Sequence, residues 1–178
     1  MRALTIVLAL LAGLVTWQVF GPPPPEPPAT PPPGYQKAKG DALFAASYKQ
    51  FSSVPVGLRQ FEGKPVIVYF WASWCVECRD EAKALNALRT RYRSSDLAVI
   101  GIGVDQSDSI ARFSRESQLE FPVFVGGAQG IELSRQMGNL RGELPFVAAV
   151  DRHGLVAATH LGKFQAATPA EMATAALK

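Results

Sequence analysis

The stretch FWASWCVEC, residues 70–78, holds the only two cysteines of this 178-residue chain, Cys75 and Cys78. They stand two residues apart, directly after Trp74. The run that leads into them, KPVIVYFWA (residues 64–72), is continuously β-branched and aromatic, the pattern of a strand buried on both faces. From Cys75 to about Tyr92 the pattern changes to a helix. Ala82, Leu85, Leu88 and Tyr92 form one apolar stripe, and Lys83, Asn86, Arg89 and Arg93 fall elsewhere. The cysteine pair therefore sits where a buried strand gives way to a helix.

Working outward, DLAVIGIGVD (residues 96–105) reads as a second buried strand. Ser107 or Asp108 can cap a helix that turns Ile110 and Phe113 inward. FPVFVG (121–126) is a short third strand, and GIELSRQMGN (130–139) a short helix closed by Gly138 in a left-handed conformation. LPFVAAVDRHGLVAATH (144–160) contains two strands joined at Asp151, Arg152, His153 and Gly154, a tight-turn signature. Thr168 and Pro169 open a last helix carrying Met172, Ala175 and Ala176. Upstream, DALFAASYKQF and VPVGLRQF form a short lead-in with hairpin character. The order predicts a mixed sheet covered by helices on both faces, one α/β domain over residues 36–178.

The first 35 residues are different in kind. MRALTIVLALLAGLVTWQVF (1–20) offers one early arginine and then an apolar run broken only by Thr5, Thr16 and Gln18. Its length is near the lower limit for a membrane-spanning helix. Trp17 and Phe20 close it as interfacial aromatics would, and no A-x-A-like cleavage site follows. No cysteine stands near the end of the run to carry a lipid. The expectation is an uncleaved signal-anchor, with Arg2 keeping the N-terminus in the cytoplasm and the rest of the chain across the membrane. GPPPPEPPATPPPG (21–34) lacks the backbone donors for helix or sheet and is expected to be an extended linker, residues 21–35, reaching about 40 Å.

The net charge is +3 and the pI about 9.0. Arg89, Arg91, Arg93, Arg112 and Arg115 are interleaved with acids and serines and lack an aromatic-basic cluster, which argues for a solvated face and against nucleic acid. Zinc needs four ligands, and only His153 and His160 accompany the cysteines, one in the turn and one at a strand end. A copper carrier would space its cysteines by three residues and add a histidine. A permanent disulfide across two residues closes a loop too small to constrain the unfolded chain much. Reversible dithiol–disulfide exchange fits best, because unpaired N–H groups and the positive end of a helix stabilise a thiolate. Cys78 lies one turn further, placed to resolve a mixed disulfide.

FWASWCVEC resembles the active-site segment of thioredoxin-like proteins, and GKPVIVYFWASWCVEC is similar in particular to the membrane-tethered TlpA/ResA/CcmG branch. The resemblance runs from about Leu58 to Leu177 and includes NLRGELPFVAAVDRHG and LGKF before the last helix. It implies a thioredoxin fold with a compact strand-helix insertion, facing the periplasm from an inner (cytoplasmic) membrane anchor. It also implies reduction of disulfides in extracytoplasmic client proteins, with electrons supplied by a membrane thiol transporter. Cys75 matches the attacking thiol and Cys78 the resolving one. Pro145 matches a cis-proline opposite the pair, with Leu144 offering its N–H and C=O to a client strand. Trp74 would shield the pair and present an apolar contact surface, whereas Trp71 reads as core. No cofactor beyond the Cys75–Cys78 disulfide is implied, and nothing demands more than a monomer.

Three positions depart from the family pattern. Tyr69 stands where thioredoxin has a buried aspartate that helps proton transfer to the resolving thiol; packing and a general-acid role are both open to it. Glu77 replaces the proline often found before the second cysteine. With Asp80 and Glu81 it favours the helix start, while opposing thiolate charge. Leu144 replaces the commoner Thr or Val. An oxidase or isomerase of the same fold, a thiol peroxidase, and a redox-inactive binding or chaperone module are the competing functions. The peroxidase pattern Pro-x-x-x-Thr/Ser-x-x-Cys is missing before Cys75. Apocytochrome c thiols in cytochrome c biogenesis, a copper-oxidase assembly factor and damaged secreted proteins are the client classes in view.

Overall fold

The computed structural model describes residues 40–51, 54–94 and 96–178. The expected anchor over residues 1–20 and linker over 21–35 lie outside the described residues. Among the described residues no helix is long and apolar enough to cross a membrane. In chain order the elements are α1 (Asp41–Ala45), β1 (Ser47–Lys49), β2 (Pro55–Gly57), a 3-10 turn (Leu58–Phe61), β3 (Val66–Trp71) and α2 (Cys78–Arg91). There follow β4 (Ala98–Gly103), α3 (Ser107–Glu116), β5 (Val123–Val125), α4 (Gly127–Gln136), β6 (Phe146–Val150), β7 (Val156–Leu161) and α5 (Thr168–Ala176).

Among the described residues one sheet takes all seven strands, in the order β2-β1-β5-β4-β3-β6-β7. Strand β3 lies inside the sheet next to the middle strand, parallel to β4 and antiparallel to β6. All six of its residues are buried, which is why its sequence runs apolar without alternation. Its side chains nevertheless alternate in direction. Ile67, Tyr69 and Trp71 face one core with Ala82 and Leu85 of α2, Phe113 of α3 and Met172 of α5. Val66, Val68 and Phe70 face the other with Leu43 and Phe44 of α1 and Leu133 and Met137 around α4. Each large apolar side chain so buried contributes about 1.5–3 kcal/mol. Helix α4 enters so close to β4 that a Cβ on Gly126 would lie 2.6 Å from Ile102 Cγ2 and 2.9 Å from Gly130 Cα.

The α/β class and the central elements agree with the sequence reading; several boundaries differ. The lead-in contains helix α1 as well as the β1–β2 hairpin, and β1 joins the sheet through Lys49 opposite Val125. Helix α4 starts at Gly127 rather than Gly130, and Gly138 beyond its end has φ 111°. Neither Ser107 nor Asp108 caps α3; its N-cap is Gln106, which makes no side-chain capping bond and whose own N–H donates to the Asp105 carboxylate at 2.7 Å. The turn after β6 is held by Asp151 Oδ1, which accepts the N–H groups of His153 and Leu155, both at 2.9 Å.

Candidate active site

Helix α2 begins at Cys78, not at Cys75. Cys75 to Glu77 precede it, because the first bonds after the cysteine loop are three-residue turns: Arg79 N–H to Val76 C=O at 3.4 Å and Asp80 N–H to Glu77 C=O at 3.2 Å. The loop is tied down at both ends. Val104 N–H donates to Trp71 C=O at 2.8 Å, and Cys75 N–H to Ala72 C=O at 3.2 Å. The Ser73 hydroxyl donates to Asp105 Oδ2, joining the loop to the end of β4. Burial pushes the Asp105 carboxyl up, but hydrogen bonds from Ser73 and Gln106 and the Arg112 charge outweigh it and hold the group below its usual range.

Cys75 and Cys78 form a disulfide, with Cα atoms 5.4 Å apart. Cys75 is 7% exposed and Cys78 is fully enclosed, so a partner sulfur can approach only Cys75. Trp74 beside them is 69% exposed and Val76 is exposed too, whereas Trp71 is wholly buried. Trp71 stacks on Tyr69 with ring centroids 6.4 Å apart and meets Phe113 at 4.3 Å. Glu77 stands exposed at the N-cap of α2 and makes no side-chain capping bond there.

Below the disulfide lie two ionisable groups. The Tyr69 hydroxyl donates to the Cys78 carbonyl at 2.8 Å, and burial, with the nearby Glu81 charge, pushes its pKa well above the usual value. Its proton is committed to that carbonyl. Glu81 is only 1% exposed. Its Oε1 accepts the Phe164 N–H at 3.0 Å, and its Oε2 has no partner among the described residues. Burial raises its pKa to about 8, with Glu77 and Asp80 adding to the rise while the Phe164 N–H and Lys163 oppose it. The residue that the sequence offers as a helix-start charge is thus an enclosed, largely neutral carboxyl at pH 7. The signal for it was present, since Cys78, Glu81, Ala82, Leu85 and Leu88 form the inward stripe of α2.

The Leu144–Pro145 peptide bond is cis. Strand pairing sets Phe146 opposite Phe70, which brings Pro145 beside the end of β3 where the cysteine loop starts. Pro145 C=O accepts the Gly162 N–H at 2.9 Å. Leu144 is half-buried and packs against both cores, and neither its N–H nor its C=O finds a partner among the described residues. Cys75, Cys78, Trp74, Tyr69, Leu144 and Pro145 therefore come together at one end of the sheet. Among the described residues no group of three or more His, Cys, Asp and Glu side chains is arranged to hold a metal. His153 is exposed on the β6–β7 turn, and a ring nitrogen of His160 lies 3.1 Å from Lys163 C=O.

This sheet, with an accessible–enclosed cysteine pair between the buried strand β3 and the following helix, defines a thioredoxin-fold protein with a disulfide centre. The AhpC/TSA family profile matches residues 40–159, and the chain belongs to that family. Thiol-disulfide oxidoreductase ResA from Bacillus thuringiensis subsp. konkukian is 29% identical over 102 residues, 57% of this chain and 57% of that protein. The chain thus spans little more than half the length of that relative. Chloroplastic peroxiredoxin Q from Sedum lineare is 29% identical over 133 residues, 71% of this chain and 70% of that one. Among solved structures, a candidate thiol:disulfide interchange protein DsbE from Chlorobium tepidum superposes with a TM-score of 0.67 at 25% identity, covering 80% of this chain and all of that one, 100%.

Proposed function

We propose that this chain is a thiol-disulfide oxidoreductase that reduces disulfides in client proteins. The observation that carries the reading is the asymmetric pair: Cys75 open to a partner, Cys78 enclosed, and Glu81 buried on the same helix face as Cys78. In the reduced form the Cys75 thiolate attacks one sulfur of a client disulfide. A Cys75–client bond forms, the client S–S bond breaks, and the displaced client sulfur leaves as a thiolate that takes up a proton. Cys78 then loses its proton and attacks Cys75 Sγ. The Cys75–Cys78 bond forms and the second client sulfur is released, so two electrons have passed to the client.

The second step needs a base in an enclosed place. Glu81 lies three positions after Cys78 on the same helix face, and its pKa, raised by burial to about 8, leaves an ionised fraction at neutral pH that can take up the proton. Glu77 acts on this step through Glu81, whose carboxyl its charge raises. Tyr69 fixes the first residue of α2 through its hydrogen bond to the Cys78 carbonyl. Trp74, Leu144 and Pro145 border the opening over Cys75 as the client contact.

The apolar run of residues 1–20 and the proline-rich 21–35 support an anchor in the cytoplasmic membrane with the catalytic domain in the periplasm. Disulfide-bearing extracytoplasmic proteins, those of cytochrome c biogenesis included, are then the clients, and a membrane thiol-electron transporter is the reductant. The test is the redox state of the pair in intact cells, trapped by acid and labelled at free thiols. A mostly reduced pair is expected; a mostly oxidised pair would make the protein an oxidase. Reduction of insulin disulfides by the reduced protein, abolished in Cys75→Ser, separates both from an inactive binding module. The likeness to peroxiredoxin Q favours one second reading, a thiol peroxidase, which hydrogen peroxide consumption by the reduced protein would reveal.

A further inference from the structure

Between Gly138 and Leu144 only one side chain is buried, and it is polar. Asn139 is 3% exposed, whereas Leu140 on the same loop is 83% exposed and Arg141 and Glu143 also face solvent. The loop has no apolar anchor of its own. Its shape comes from the Asn139 amide, which exchanges two hydrogen bonds with a single residue. Asn139 Nδ2 donates to Glu143 C=O at 2.8 Å, and Glu143 N–H donates to Asn139 Oδ1 at 3.1 Å. The side chain thus pairs with Glu143 as a neighbouring strand would. The amide is held in turn: Nδ2 also reaches Ser134 Oγ at 3.2 Å, Asn139 N–H donates to Ser134 C=O at 2.9 Å, and Gly142 N–H to Asn139 C=O at 2.9 Å.

The consequence falls on Leu144. Glu143 C=O and Leu144 N–H belong to the same planar trans peptide, in which the two groups point in opposite directions. Holding Glu143 C=O on Asn139 therefore aims Leu144 N–H away from the loop. On the other side, Pro145 C=O is held by Gly162. The unpartnered groups of Leu144 lie between two fixed points, next to the cysteine loop. We infer that Asn139 is a positioning residue for client binding, fixing Glu143 so that Leu144 presents its peptide groups, already aligned, to an extended client segment. The inference rests on the proposed reductase function, and it deepens that reading by naming what orders the client-binding edge.

The test compares two disulfides reduced by the full chain: insulin, which has a polypeptide to pair with Leu144, and Ellman's reagent, which has none. For Asn139→Ala the ratio of kcat/KM for insulin to that for Ellman's reagent is expected to fall about tenfold, about 1.4 kcal/mol, through KM rather than kcat. The equilibrium of Cys75–Cys78 with glutathione, measured alongside, reports whether the sulfur centre is intact. A role confined to stability would lower the melting temperature and leave the ratio alone, and an unchanged ratio in the folded variant overturns the inference. If Asn139→Ala does not fold, Ser134→Ala decides. It removes one bond to the same amide and is expected to lower the ratio about threefold; no change overturns the inference. A wild-type chain that reduces neither disulfide removes the reductase reading and this inference with it, while an active wild type with an unmoved ratio removes this inference alone.

Discussion

Replacing Glu81 with Gln isolates the enclosed carboxyl, and the oxidised protein is the form in which to measure it, because its cysteines do not titrate. Gln is nearly isosteric, and its carbonyl oxygen can still accept the Phe164 N–H that Glu81 Oε1 accepts at 3.0 Å. The group's pKa is raised by folding, from 4.5 to about 8. A raised pKa in the folded state means that the folded chain holds the proton more tightly than the unfolded chain. Its stabilising contribution is therefore complete below about 4.5 and is lost as pH rises through about 8. At about 1.4 kcal/mol per pH unit the full interval sets an upper bound of about 5 kcal/mol. Solvent screening and local relaxation reduce such figures, and about 1–3 kcal/mol is expected. Denaturant unfolding of both oxidised proteins at pH 4.5 and pH 9 gives the number as a double difference, in which all other titrating groups cancel. The wild type should lose that much relative to Glu81→Gln. A difference that stays level to within about 0.3 kcal/mol between the two pH values would refute the enclosed-acid account, and with it the base assigned to Cys78.

Trp74→Ala should change unfolding stability by less than about 0.5 kcal/mol, because the ring is exposed, yet slow insulin reduction severalfold; equal loss towards insulin and Ellman's reagent would argue against a client contact. Gly126→Ala should cost about 1–3 kcal/mol in denaturant unfolding, since its Cβ would meet the Gly130 backbone as well as Ile102, and a neutral result would mean that α4 is free to retreat from β4. Cys78→Ser should accumulate a mixed disulfide between Cys75 and insulin, visible by mass on a non-reducing gel, whereas Cys75→Ser should form none.

The elements that sequence alone revealed are those whose pattern is local. Strand β3 announces itself because six consecutive buried positions demand six apolar residues, and the hairpin after β6 because Asp151 and Gly154 make its turn with their own groups. Helix α1 was not visible in this way. It has five residues, too few to be stable alone, and is held by distant partners: Gly40 N–H donates to Gly154 C=O at 2.6 Å, and Phe44 lies within 3.2 Å of where a Cβ of Gly154 would stand. The site divides along the same line. The cysteine spacing and the strand-to-helix junction lie within one short stretch. Glu81 reads as a helix-start charge because a first-turn acid suits the positive end of the helix, a local rule that is silent on burial. Its enclosure depends on Phe164, 83 residues away, closing over it from the β7–α5 connection. Asn139 looked like the end of a helix, and only folding shows its amide turned back on Glu143.

The alternation of β3 has a consequence for how such a protein can diverge. Tyr69, Trp71, Cys78 and Glu81 share one side of the sheet, while Val68, Phe70, Leu133 and Met137 share the other. Substitutions on the second side alter how firmly the chain holds together and reach the site through Leu144, which packs against both cores. Substitutions on the first change stability and the proton affinity at the reactive pair together. A lineage can therefore adjust its robustness with less consequence for the reactive pair on the second side than on the first, where a change of proton affinity is also a change of stability.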